Sequence, residues 1–110
     1  VMTDEFTVNR IDINSGHGEL DLAHVGGELI VDVAVENGFD YDMKDIDIVV
    51  WVMELGLKKS YHFDVDSGKT QAVSVVFDVP FDAEPGYYDV LVEASGDDVR
   101  RAKYREFLLA

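Results

Sequence analysis

Three histidines, His17, His24 and His62, stand among 23 acidic residues, and the chain has no cysteine. Zinc needs histidine, thiolate or carboxylate ligands at short, recurring spacings. None of the three histidines has a second histidine or a carboxylate at such a spacing, so loop or strand-edge positions are expected for them. Ser60 and His62 lie two apart and would share one face of a strand, but no third group or oxyanion hole accompanies them. The Gly-x-Ser-x-Gly elbow, the Walker loop and the dinucleotide glycine fingerprint are all absent. Carboxylates are so numerous that some pair must fall at a glycosidase-like separation, and such a pair would therefore discriminate nothing. The chemistry-bearing residues read as those of a non-catalytic domain.

Calcium is the remaining chemistry to weigh. Asp40-Tyr41-Asp42 and Asp64-Val65-Asp66 resemble the start of an EF-hand loop, which requires glycine at position six and glutamate at position twelve. Counted from Asp40 those positions hold Asp45 and Trp51, and counted from Asp64 the twelfth is Val75, so both fail. The tripeptides after Asn9, Asn14 and Asn37 do not form glycosylation sequons.

The elements that must carry these residues are strands. Leu29, Val31, Val33 and Val35 alternate with polar positions, as do Ile46, Ile48, Val50 and Val52. Val73, Val75, Phe77 and Val79 repeat the pattern, and so do Tyr88, Val90, Val92 and Ala94. Phe6 to Ile13, Leu57 to Phe63 and Val99 to Leu109 complete seven predicted strands. Turn chemistry separates them: Asn14-Ser15-Gly16, Gly26-Gly27, Asn37-Gly38, Asp66-Ser67-Gly68, Pro85-Gly86 and Ser95-Gly96-Asp97. No stretch shows helical spacing with a cap. The expected fold is all-β, an Ig-like antiparallel β-sandwich of about seven strands, with a closed barrel as the competitor. Tyr88, just after Pro85-Gly86, occupies the place of a tyrosine corner, in which the hydroxyl bonds back to upstream backbone. The plainer alternative makes it a core aromatic.

Composition bounds the rest. One hundred and ten residues make one domain, residues 1–110, of a size that buries a core without disulfides. Hydrophobic content of 47% is too high for a disordered acidic tail. The longest apolar run, Ile48 to Met53, is too short to span a membrane. No signal peptide is recognisable at the start, so any such segment is expected outside this sequence. Both ends fall at strands, as expected of one module of a longer chain. A formal charge of -14 argues against nucleic acid. Self-repulsion at that charge predicts a melting temperature that rises with ionic strength, and a flat salt series would contradict it.

The stretch from Gly26 resembles a known group. "GGELIVDVAVENGFDYDMKDIDIVVWV" is similar to the opening of CARDB-type domains, the cell-adhesion-related Ig-like modules of bacteria and archaea. A glycine turn, an alternating strand ending in Glu36-Asn37-Gly38, an acidic loop and a second alternating strand follow in order. "SGKTQAVSVVFDVPFDAEPGYYDVLVEA" fits the same family's later rhythm, and "DDVRRAKYREFLL" resembles modules of archaeal surface-layer-associated proteins. The resemblance covers roughly residues 5–109. It implies an extracellular or cell-surface, non-enzymatic structural or adhesion module whose partners are neighbouring domains or other surface proteins. It transfers no ligand residues.

Two other functions compete. One is a carbohydrate-binding module attached to an enzyme, with Trp51, Tyr87, Tyr41 and Tyr61 as a stacking platform. The other is an extracellular filament subunit that self-associates by strand addition.

Three surface features follow from the strand order. The loops after the second, fourth and sixth predicted strands should emerge at one end of the sandwich. They carry Asp40, Asp42, Asp45, Asp64, Asp66, Asp97 and Asp98. Of these, Asp40, Asp42, Asp64, Asp66, Asp97 and Asp98 are the candidate calcium ligands, against the simpler reading that aspartate suits turns. The last strand concentrates Arg100, Arg101, Lys103 and Arg105, which should pair with Asp89 and Glu93 next door or dock an acidic neighbour. Val49, Trp51, Met53, Tyr87 and Leu91 should point outward from two adjacent strands as an apolar interface patch. The competing assignment turns Trp51 into the core.

Overall fold

The computed structural model describes residues 6–15, 20–96 and 99–110. Eight strands form: β1 (Phe6–Asn14), β2 (Leu22–Ala23), β3 (Glu28–Asn37), β4 (Met43–Val52), β5 (Leu57–Val65), β6 (Thr70–Asp78), β7 (Gly86–Gly96) and β8 (Val99–Leu109). A 3-10 turn, Met53–Leu55, joins β4 to β5. The strands make two sheets, one in the order β1-β3-β6 and the other β2-β8-β7-β4-β5. All pairings are antiparallel except that of β2 with β8. The expected all-β, Ig-like sandwich is the fold observed. The additional strand is β2, whose two residues are too few to show alternation.

Period-two alternation generates the core. Leu29, Val31, Val33 and Val35 of β3 face Ile46, Ile48, Val50 and Val52 of β4 across the two sheets, and all are buried. Val75 and Phe77 of β6, Val90, Val92 and Ala94 of β7, and Phe107 and Leu109 of β8 complete the layer. Burying each of the valine, leucine, isoleucine and phenylalanine side chains stabilises by roughly 1.5–3 kcal/mol.

Two bulges interrupt the alternation. In β1 the register slips between Val8 and Arg10, so Phe6 and Val8 face inward and then Ile11 and Ile13 do. In β4 the pairs Met43↔Val65 and Ile46↔Phe63 leave Lys44 and Asp45 opposite Asp64 alone. Asp45 adopts φ 57, the left-handed conformation that bulges use. Its N–H donates to Asp64 Oδ1 at 3.0 Å. β4 therefore starts two residues before the alternation becomes legible.

Glycine is required at two close approaches. A Cβ on Gly96 would lie 2.5 Å from Ile46 Cδ1, so β7 passes tightly over the β4 bulge. Gly26 combines φ +74 with the Phe81 ring 2.9 Å from where its Cβ would be, at the opposite end of the sandwich.

The tyrosine corner is present. Tyr88 Oη donates to the Glu84 carbonyl at 2.6 Å, and its ring stacks on Phe107 with centroids 6.0 Å apart. Tyr88→Phe keeps the ring contact and loses the hydrogen bond. It is expected to cost about 1 kcal/mol in urea unfolding. An unchanged midpoint would show that the corner contributes nothing.

Candidate functional site

Asn37 organises the acidic end. It is completely buried, and its side chain is fully used. Nδ2 donates to the carbonyls of Tyr41 at 2.8 Å and Val65 at 2.9 Å, while Oδ1 accepts from Phe39 N–H at 2.9 Å. Its backbone N–H donates to the Lys69 carbonyl, and its own carbonyl accepts from Gly68 N–H. The β3–β4 and β5–β6 loops are thereby tied together. Ser67 adds two ties, its N–H to Asp42 Oδ1 at 2.8 Å and its hydroxyl to the Phe39 carbonyl at 2.7 Å.

These two loops emerge together as expected, and β7 ends beside them, since Gly96 lies against Asp45 and Ile46. Two carboxylates at this end cap backbone donors: Asp42 holds Ser67, and Asp64 holds the bulge. Asp40 and Asp66 are exposed. Asp97 and Asp98 lie outside the described residues. Among the described residues, no three acidic or histidine side chains converge as a metal-binding group.

His62, on the outer face of β5, bridges two carboxylates. Nδ1 lies 2.6 Å from Asp47 Oδ1 and Nε2 lies 3.1 Å from Asp45 Oδ1. Both ring nitrogens can donate only in the imidazolium. The bond to Asp47, and then that to Asp45, raise its pKa above 6.5. The folded value thus exceeds the unfolded one. This contribution to stability is complete below about pH 6.5 and is lost as pH rises through the folded value. His62→Gln should accordingly destabilise more near pH 5 than near pH 8. An NMR titration of His62 with a midpoint at or below the ordinary value would contradict the geometry.

The outer face of the five-stranded sheet carries the apolar positions. Trp51 pairs with Lys58 on β5 and Leu91 on β7, and Leu91 pairs with Tyr104 on β8. Lys58, Trp51, Leu91 and Tyr104 therefore form one row across four strands. Lys58 Nζ stands 4.6 Å from the Trp51 ring centre. Trp51 is half-buried and does not belong to the core, so the outward assignment holds. Leu91 also points outward yet is only 7% exposed, because it lies between two larger side chains. Val49 occupies the next row, with Ser60, Glu93 and Ala102.

Met53 and Tyr87, 62% and 69% exposed, do not join this row. Asp89 stands between Leu91 and Tyr87 on β7 and faces Glu106 across to β8. Beyond that acidic pair, Tyr87, Leu108 and Leu22 line up as a second apolar row. The five predicted patch residues are thus split by a like-charged pair. Tyr104, 64% exposed, is the member sequence reasoning missed. Its alternation with Leu108 was visible, but its register against Leu91 was not.

The basic strand pairs differently from expectation. Arg100 Nη2 bonds Glu93 Oε1 at 2.8 Å, as anticipated. Arg105 turns instead to Asp21, with Nε and Nη2 on its two carboxylate oxygens at 3.1 and 2.9 Å. Asp21, at φ 56, sits where the chain crosses from one sheet to the other. Asp89 has Glu106 opposite it rather than a cation. On the far side of the sandwich, Lys59 of β5 donates from Nζ to the Val76 carbonyl of β6 at 2.6 Å. It bridges the free edges of the two sheets.

No protein-family model and no curated protein sequence matches the chain. Solved structures do. The chain is similar to part of the Pseudomonas fluorescens alkylpurine DNA glycosylase AlkC bound to DNA containing an abasic site analog. The TM-score is 0.65 at 17% identity, covering 96% of this chain and 30% of that one. It is similar to part of the β-glucosidase EmGH1 from Erythrobacter marinus, with TM-score 0.63, 16% identity, and 96% and 15% coverage. It is also similar to part of Spo0M, the Bacillus subtilis sporulation control protein, with TM-score 0.57, 14% identity, and 96% and 47% coverage. The chain thus spans less than half the length of each, and at these identities the likeness is one of fold.

Proposed function

We propose that the domain is a non-catalytic structural or adhesion module of the CARDB type in a cell-surface or surface-layer-associated protein. It works by contact with neighbouring domains of its own chain or with other surface proteins. The observation that carries this reading is the outward row Trp51–Leu91–Tyr104 on an otherwise strongly acidic domain. Tryptophan and tyrosine anchor interfaces, and such rows are seldom left in water without use. The resemblance to adhesion-related modules supports the surface location. Occurrence of the fold as one part of longer chains supports the role of a module.

The carbohydrate reading has less support. Its four aromatics do not share a face. Tyr41 stacks on Phe39 in the β3–β4 loop, Tyr61 packs against the core, and Lys58 stands over the Trp51 ring that a sugar would need.

Trp51→Ala tests the proposal. In the isolated domain it should lower stability by no more than about 1 kcal/mol. Within the longer protein, the same substitution should lower this module's melting temperature further, because an inter-domain contact is lost. Equal shifts in the isolated and the full-length forms would remove the contact from consideration.

A further inference from the structure

Among the described residues, one edge of the five-stranded sheet is unpaired over most of its length. β2 pairs with β8 only at Leu22↔Leu108 and Ala23↔Leu109. Leu108 N–H donates to the Asp21 carbonyl and Ala110 N–H to the Ala23 carbonyl. Even-numbered residues of β8 thus aim their backbone groups away from β7, as antiparallel pairing requires of alternate residues. By the same alternation Ala102, Tyr104 and Glu106 direct their N–H and C=O groups to this edge. No described strand pairs with them there. The Arg100 carbonyl, next along, is met by Arg101 Nη1 at 2.9 Å.

The two sides of this edge differ chemically. Arg101, Lys103 and Arg105 share the side of Phe107 and Leu109, while Ala102 and Tyr104 share the side of Leu108. Arg105 is engaged by Asp21. Arg101 and Lys103 are exposed and form no ion pair with a described carboxylate.

We propose that this edge accepts an extended acidic segment of another polypeptide, which adds as a strand beside β8. Its carboxylates would lie against Arg101 and Lys103, and its alternate apolar side chains against Ala102 and Tyr104. Main-chain hydrogen bonds supply affinity in such additions, and the side chains at alternate positions supply specificity. Charge selects the occupant. Of the four basic residues within Arg100 to Arg105, Arg100 and Arg105 are paired, which leaves Arg101 and Lys103 to face a guest on a chain of net charge -14. An acidic strand is repelled by the domain as a whole and attracted at this stripe. A second copy fits poorly, because β8 laid against β8 would bring the same cations together. The inference stands on the edge alone and does not depend on where the module resides.

Amide hydrogen exchange on the 110-residue chain tests it. The probe is a capped peptide of about seven residues, a typical strand length, alternating glutamate and valine. The control replaces glutamate with lysine. With the glutamate peptide at about ten times its Kd, exchange at Ala102, Tyr104 and Glu106 should slow roughly tenfold. The lysine peptide should have no effect. Arg101→Glu combined with Lys103→Glu should exchange the two responses. Ala102→Pro, which removes an edge-facing donor and no bond to β7, should abolish both. The proposal is overturned if millimolar glutamate peptide leaves these three amides unchanged, if both peptides protect them equally, or if protection appears on another strand. Dimerisation of the free domain through this edge would overturn it as well.

Discussion

Asn37→Ala is expected to destabilise the domain by about 2–4 kcal/mol, from the cost of leaving buried polar groups unmatched at roughly 1–3 kcal/mol each. The substitution removes both Nδ2 donors and the Oδ1 acceptor together. The Val65 carbonyl, beneath the β5–β6 loop, loses its side-chain donor, and Phe39 N–H loses its acceptor. Both loops are then held mainly by the backbone bonds of residue 37 and by Ser67. Asn37→Asp should be worse at neutral pH, since it presents a buried carboxylate to two carbonyl oxygens. That carboxyl would titrate above its ordinary value, so its excess penalty over alanine should shrink as pH falls. Urea unfolding of the two variants across pH measures this. Wild-type stability in Asn37→Ala would mean that the loops close without their central amide.

Ile48→Ala and Trp51→Ala make the second comparison, and the smaller residue is expected to cost more. Ile48 is wholly buried between the sheets, and emptying such a site costs about 2–5 kcal/mol. Trp51, three positions later on the same strand, has the opposite facing. It loses an exposed row contact and the Lys58 ammonium over its ring, together about 1 kcal/mol. Thermal unfolding of both variants decides the facing of β4. A loss of about 3–5 kcal/mol for Trp51→Ala would put the indole in the core and end the interface reading.

Much of this architecture was legible because alternation is local. Seven strands and their inward faces follow from period two and the turn signals, and the neighbouring of β4 and β7 from the strand order of an Ig-like sandwich. Tyr88 was readable for a similar reason: its partner Glu84 is four residues away. What escaped depends on distant partners. Asn37 reads as half of an Asn-Gly turn, and nothing local reveals that Val65, 28 residues on, needs its amide. The bulge at Lys44 and Asp45 is a surplus of one residue against β5, invisible until the pairing is known. Leu91 was correctly pointed outward, but its burial is set by cross-strand neighbours. The pairing of Arg105 with Asp21, 84 residues earlier, likewise required the crossing of the chain between sheets.

The Lys59 bridge makes the two sides of the sandwich unequal. Sheets that grow sideways without limit need two receptive borders, one to join and one to be joined. Here the border formed by β5 and β6 has a charged side chain turned across it, with its ammonium on the carbonyl a newcomer would seek. The bridge closes one point on that side, whereas no described strand lies beside Ala102, Tyr104 and Glu106 of β8, so lateral addition is favoured at the β8 border. On the proposal above, a guest strand at β8 meets less competition than one at the β5–β6 border, which works against repeating lateral assembly. Lys59→Thr would free the Val76 carbonyl at that border.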